Sequence, residues 1–548
     1  MAKHDAGGHR AWTRAAVHPV VILVWLASCA AAPPPPTVSL PATELPYSAA
    51  VAARFPAPAV RYETPGLAAG RERYTSDDEL QAWLDELVRA ERRDGTRVIR
   101  LDAGRSQQGV PLQALRFSRG VGRPVVLLIG QQHGDEPAGA EALMVVAHEL
   151  ARGRLGAVLD QLDVVVLVRA NPDGAVWNTR VAADGIDINR DHLLLRTPEA
   201  QAQAKLVREL APVVVVDLHE HTVAGRYLEK FNAVQRNDLL LQYTMTANYP
   251  QAWAQASERW FIEPMRGALT DAGLTHDWYY TNPTTPGDLH LSMGGLQPDT
   301  GRNVHGLKQT ISILLESRGV GIGRLHLQRR VHSHVVAVRA VLDGAAAHAS
   351  ELPALQRRVG DDVAAAACHG DVVVLAAATT TRRDLLMLDP ETGADKVVPV
   401  RWDSALEPRV LRMRTRPCGY WIGADGALAV QRLRELGVRV QRFASETTLQ
   451  AEAWHELSRS EGVRPDVRGA VADAAHTIIG VRVSLVARAA SAPANTWYVP
   501  LDQPLANLAV AALEPDTPSS YFANRVLPSL DVVLRVRSPP AAAWSAAP

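Results

Sequence analysis

The chain has 548 residues, 58 Lys and Arg against 58 Asp and Glu, and three cysteines. At roughly 150 residues per domain, this length supports several units or one large core, and 47% hydrophobic with 21% charged residues excludes a disordered chain. Balanced charge argues against a general nucleic-acid binder, and three cysteines exclude a disulfide-dense scaffold and a four-cysteine zinc module.

The N-terminus carries Lys3, Arg10 and Arg14, then an apolar run from Val17 to Ala27 and the sequence Leu26-Ala27-Ser28-Cys29. A basic start, a short apolar core and small residues at its exit read as a secretory signal over 1–28. The four-residue ending resembles the bacterial lipobox, which implies that Cys29 is lipidated and becomes the first mature residue. The competing reading is an ordinary secretory signal with Cys29 incidental. Pro33 to Pro36 open a proline-rich stretch that favours an extended stalk, so 29–72 reads as a lipidated linker. The expected location is outside the cytoplasm, anchored to a membrane and facing the periplasm or cell surface.

Ser76-Asp77-Asp78-Glu79 is a capping box, and Leu80, Trp83, Leu84, Leu87 and Val88 continue at helical spacing. Short continuous apolar runs follow at 124–129, 164–168, 213–216 and 310–315, the pattern of strands buried on both faces. Helical stretches at Ala138 to Ala151 and Pro198 to Leu210 lie between them. This alternation predicts an α/β fold, with a mixed, largely parallel sheet flanked by helices on both faces. Its expected extent is 73–330. Residues 331–548 read as an α/β or β-rich accessory region, with strands near Asp371–Leu375 and Val481–Val486 and a helix from Ala427 to Leu436.

Each of the four apolar runs ends in polar residues. The first ends at Gly130-Gln131-Gln132-His133-Gly134-Asp135-Glu136 and the second at Arg169-Ala170-Asn171-Pro172-Asp173-Gly174. The third ends at Asp217-Leu218-His219-Glu220-His221 and the fourth at Glu316-Ser317-Arg318-Gly319. Sites in open α/β sheets form beyond the carboxyl ends of strands, so the four clusters are placed to meet in one cleft. His133 and Glu136 form an H-x-x-E pair, and His219 follows a later strand. Two imidazoles and one carboxylate leave a fourth zinc position open, as catalytic zinc requires.

With Gly185-Ile186-Asp187-Ile188-Asn189-Arg190-Asp191, these segments occur in the order found in the zinc carboxypeptidases, and the chain resembles that family's pancreatic and bacterial members. The resemblance implies one zinc ion held by His133, Glu136 and His219. It also implies that Glu316 is the general base and that Arg180 stabilises the oxyanion. Asn189 and Arg190 would bind the substrate's terminal carboxylate, and Asp187 would orient His133. These roles suit the chemistry: a carboxylate near zinc accepts a proton from water, and a planar guanidinium meets a carboxylate through two donors. The implied substrate is a peptide or related amide next to a free carboxylate.

Three points stay open in the sequence. Asp-Leu-His recurs at Asp288-Leu289-His290, and His221 lies two residues beyond His219. No clear counterpart exists for the family's substrate-binding tyrosine; Tyr279 and Tyr280 are the nearest candidates, while Arg302 in the polar loop at 294–303 offers an additional anion contact. Cys368 and Cys418 either pair or remain buried thiols. Two other functions compete with peptidase action: deacylation of N-acyl amino acids by the same site, and carboxylate binding by an inactive surface lipoprotein.

Overall fold

The capping box forms as written. Ser76 Oγ accepts from the Glu79 amide, and the Glu79 carboxylate accepts from the Ser76 amide, opening the helix Asp77–Arg89. Leu80, Leu84 and Leu87 are its buried face, and each contributes about 1.5–3 kcal/mol by leaving water. The computed structural model describes residues 46–90, 92, 94–283, 287–464, 466 and 477–545. The expected signal, Cys29 and the Pro33–Pro36 run lie outside them. Residues 46–72, assigned to the linker on composition, are folded: Tyr47, Val51, Phe55 and Tyr62 are buried. Their apolar residues are mostly alanine and are interrupted by proline with no helical or strand period, so composition alone reads as a linker. Phe55 covers the buried Arg318 guanidinium at 3.3 Å. Among the described residues, no helix is long and apolar enough to cross a membrane.

Among the described residues, ten strands precede residue 321: β1 (Arg97–Arg105), β2 (Pro111–Ser118), β3 (Val125–Gly130), β4 (Asp163–Leu167), β5 (Val214–Thr222), β6 (Leu239–Tyr243), β7 (His276–Trp278), β8 (Tyr280–Thr281), β9 (His290–Met293) and β10 (Ile311–Val320). Eight of them form one mixed sheet in the order β1-β2-β4-β3-β5-β10-β6-β7. Its centre, β4-β3-β5-β10, is parallel. Alternate residues of these strands enter different cores. Val126, Leu128, Val214 and Val216 pack with the helices Ala138–Ala151 and Leu327–Ala347. Val125, Leu127, Ile129 and Val215 pack with Ala202, Leu206 and Val207 of the helix Pro198–Leu210. The fold is therefore the expected α/β arrangement with helices on both faces.

The C-terminal part is β-rich. β11 (Asp371–Leu388) and β12 (Asp395–Thr415) pair with each other, and β12 pairs in parallel with β9, so one four-stranded sheet joins strands from both sides of residue 330. Six further strands, β13 (Gly419–Ile422), β14 (Gln441–Arg442), β15 (Thr447–Val463), β16 (Thr477–Ala492), β17 (Trp497–Pro500) and β18 (Val533–Val536), form a third sheet. Cys368 and Cys418 are joined in a disulfide.

Candidate metal centre

Two central strands are longer than their apolar runs suggest. β5 continues through Thr222 and β10 through Val320, so the polar clusters are themselves strand. The backbone ladder persists because the pleat sends Asp217, His219 and His221 to one face and Leu218 and Glu220 to the other. The far face is satisfied: Glu220 pairs with Arg330 of the helix Leu327–Ala347 at 2.6 Å. On the near face, His219 lies directly across from Glu316 of the parallel neighbour.

The other two ligand candidates come from the turn that follows β3. Gln131 adopts a left-handed φ of 51°, and its side-chain amide donates to the Gly134 carbonyl at 3.0 Å. A Cβ on Gly134 would stand 2.0 Å from the Gly174 carbonyl carbon, so only glycine lets the two loops touch. Asn171 ties the junction together. Its Oδ1 caps the helix Pro172–Trp177, and its Nδ2 donates to the carbonyls of Gln132 and Val181 at 3.2 Å each. The Asn171-Pro172-Asp173-Gly174 turn thus fixes both the His133 loop and the segment that carries Arg180.

These elements bring His133, Glu136 and His219 together, with one donor atom of each within 4.8 Å of the others. Both imidazoles turn Nδ1 inward: His133 Nδ1 is 2.8 Å from Glu136 Oε1, His219 Nδ1 is 2.8 Å from Glu136 Oε2, and the two Nδ1 atoms are 3.0 Å apart. Both turn Nε2 outward onto a buried carboxylate, Asp187 at 3.1 Å and Asp217 at 2.9 Å. A carboxylate behind an imidazole holds the proton on the outer nitrogen and leaves the inner lone pair for a metal. Arg180 Nη1, 3.1 Å from His133 Nδ1, matches that tautomer because it can only donate.

Electrostatics draw positive charge to the same point. Burial pushes the Glu136 carboxyl up, but His133 and His219 outweigh it and hold the group well below the usual carboxylate range. Burial likewise pushes the His219 imidazole down, yet Asp217 and Glu136 hold it well above its ordinary value. With no metal ion between them, Glu136 and Asp217 favour a proton on His219; a metal ion at the same point would take that proton's place and leave the imidazole neutral. The donor set, two imidazoles and one carboxylate, fits zinc.

The remaining expected residues surround this cluster. Arg180 Nε donates to Asp187 at 2.9 Å, and its Nη1 lies 3.3 Å from Glu136. Asn189 Oδ1 accepts from the Gly301 amide at 2.8 Å. Arg190 donates to Asp466 at 2.6 Å. A cavity of about 360 Å³ opens over the cluster and is lined by His133, Arg180, Asn189, Arg190 and Glu316, among others. Tyr279 and Tyr280 both line it, and the Tyr280 hydroxyl donates to buried Gln235 at 2.7 Å.

Both rival histidines find other partners. His221 shares the face of His219 but contacts the Glu316 carbonyl at 3.0 Å, and burial with nearby Arg318 pushes it down to about 3. His290 pairs with Asp403 at 2.6 Å in the second sheet. The sequence reading assigned no role to Asp217 or Gln132. Gln132 Nε2 donates to Asp217 at 2.6 Å, and its Oε1 meets His192 at 2.7 Å. The available signal was an acidic residue two positions before a strand histidine, which shares its face.

A buried His-Glu-His cluster beside a strand-borne glutamate is a donor set that suits a metal-dependent hydrolase. The zinc carboxypeptidase family profile matches residues 80–204. Carboxypeptidase 2 of Trichophyton equinum is 28% identical over 407 residues, covering 74% of each chain. Carboxypeptidase SOL1 of Arabidopsis thaliana is 30% identical over 184 residues, 30% of this chain and 36% of that one. A metallo-carboxypeptidase structure from Burkholderia cenocepacia aligns at 18% identity with a TM-score of 0.39, over 51% of this chain and 71% of that one. The profile match assigns residues 80–204 to the zinc carboxypeptidase family. The protein is a metallocarboxypeptidase, a hydrolase of peptides for which the family implies zinc.

Proposed function

We propose that the protein removes the C-terminal residue of a peptide, with Glu316 as general base beside a zinc ion held by His133, Glu136 and His219. The register of Glu316 against His219 carries this reading, because neighbouring strands are about 4.8 Å apart. When bound, zinc supplies Lewis acidity toward the scissile carbonyl and the attacking water. Glu316 takes a proton from that water and returns it to the leaving amine nitrogen, as one group can do when it faces both. Arg180 offers fixed positive charge where the carbonyl oxygen becomes anionic. Arg190 and Asn189 receive the terminal carboxylate and so define the chain end. Asp187 keeps His133 in its ligand tautomer.

Export and lipid attachment at Cys29 belong to the same proposal, supported by the basic start, the apolar run and Leu26-Ala27-Ser28-Cys29. The peptidase domain is proposed to begin near residue 73 and the accessory region near 331. The test is metal analysis with a peptide digest of wild type and Glu316→Gln. The expected outcome is one zinc per chain in both proteins, with release of terminal residues about 10²–10⁴-fold slower in the variant. Unchanged release by Glu316→Gln, or release that survives zinc removal, overturns the proposal. Turnover of N-acyl amino acids without any action on peptides overturns it in favour of a deacylase.

A further inference from the structure

Among the described residues, Arg302 lines the cleft without a carboxylate partner. The floor beneath Glu316 is formed by β10 and β6. Leu314 points the same way as Glu316, two residues earlier on β10, and lies opposite Gln242 of β6. Two strand residues span about 6.6 Å, so this level is one side chain deeper than the proposed reacting carbonyl.

Gln242 Oε1 accepts from Arg302 Nη1 at 2.6 Å. Arg302 Nη2 donates to the Gly295 carbonyl at 3.0 Å, and its Nε donates to Asn303 Oδ1 at 3.2 Å. All three acceptors are neutral. Arg302 is only 3% exposed, yet it lines the cleft. Among the described residues, no carboxylate pairs with this guanidinium.

Arg416 is also buried on a neutral acceptor, Asn507 at 2.9 Å, but it does not line the cleft; some other buried arginines have carboxylates. Arg330 pairs with Glu220 at 2.6 Å, and Arg535 pairs with Glu514 at 3.0 Å. Among the described residues Arg318 also shows no carboxylate partner, but the Phe55 ring covers it. The loop makes room for Arg302. A Cβ on Gly294 would stand 2.7 Å from its Nη1 and 2.4 Å from Gln242 Oε1.

We infer that Arg302 selects peptides whose last residue has an acidic side chain, such as a C-terminal glutamate. The inference rests on the carboxypeptidase reading, with Arg190 and Asn189 on the main-chain carboxylate and Arg302 on the side-chain carboxylate. A desolvated guanidinium gains strong charge-assisted hydrogen bonds from such a group. A glutamine of the same shape leaves the charge unmatched, and a lysine side chain is repelled.

The test uses the full chain loaded with zinc and N-acyl dipeptides ending in Glu, Gln, Leu or Lys. The expected kcat/KM for the Glu substrate exceeds that for Gln by about tenfold or more, with Lys lowest. Arg302→Gln brings the Glu-to-Gln ratio toward one, and Arg302→Lys restores part of it. The wild-type panel decides alone where neither variant folds. Equal cleavage of the Glu and Gln substrates by wild type overturns the assignment to Arg302 and leaves the peptidase reading standing. So does an unchanged ratio in folded Arg302→Gln. Failure to release a residue from any of the four overturns the peptidase reading itself.

Discussion

Asp217→Asn removes a charge, and almost no volume, from the wall behind His219. Asp217 is fully buried, and a single oxygen serves both His219 Nε2 at 2.9 Å and Gln132 Nε2 at 2.6 Å. Its other oxygen, Oδ1, has no hydrogen-bond partner among the described residues. In the variant, the amide oxygen keeps both contacts and the new NH₂ takes the unpartnered position, so the histidine tautomer survives while the negative charge behind it is lost. Outer-sphere partners of this kind are worth about 10–100-fold in metal affinity. Full burial places Asp217 near the middle of that range or above, so zinc should bind about 30-fold more weakly, roughly 2 kcal/mol. Competition with a chromophoric chelator measures this directly, and the melting temperature of the metal-free protein controls for folding. Asp288→Asn, in the other Asp-Leu-His triplet, should leave zinc affinity unchanged. A folded Asp217→Asn variant that binds zinc within about twofold of wild type refutes the reasoning.

Three further outcomes are expected. Burial pushes Glu199 up to about 7 against the hydrogen bond from the Gln107 amide, so the folded state holds its proton more tightly than the unfolded chain. Stability contributed by that proton is lost as pH rises from 4.5 to about 7, and Glu199→Gln should melt a few degrees above wild type at pH 8 but equally at pH 4.5; a lower melting point at pH 8 contradicts this. Replacing Cys368 and Cys418 together by Ala opens a loop closed across 50 residues and should cost up to about 4 kcal/mol, read from the denaturant midpoint of oxidised protein. Asp466→Asn removes the internal carboxylate from Arg190 and should lower KM for peptides several-fold with kcat little changed; an unaltered KM shows that Asp466 does not compete with substrate.

Much of the core and the ligand set was legible because each left a local mark. The helices Ala138–Ala151 and Pro198–Leu210 and the four central strands announce themselves by periodicity or unbroken apolar runs. His133, Glu136 and His219 sit at the ends of such runs. What stayed hidden depends on contacts far apart in sequence. Polar residues at 217–221 hid the continuation of β5, since hydrophobicity fades where the pleat begins to serve the site. Asp466 approaches Arg190 from 276 residues away, and no local pattern encodes that pairing. Residues 46–72 show no helical or strand period, and Tyr47, Val51, Phe55 and Tyr62 are buried while Val60 stays exposed.

The shared sheet of β8, β9, β11 and β12 bears on how the chain can be divided. A fragment ending near residue 330 would leave β9 without β12, exposing an open strand edge of the kind that seeds aggregation. The stretch at 80–204 carries His133 and Glu136 but neither His219 nor Glu316. Shortened versions for expression or crystallisation should therefore be trimmed at the two ends and not cut between the halves, because the catalytic half borrows backbone pairing from its neighbour.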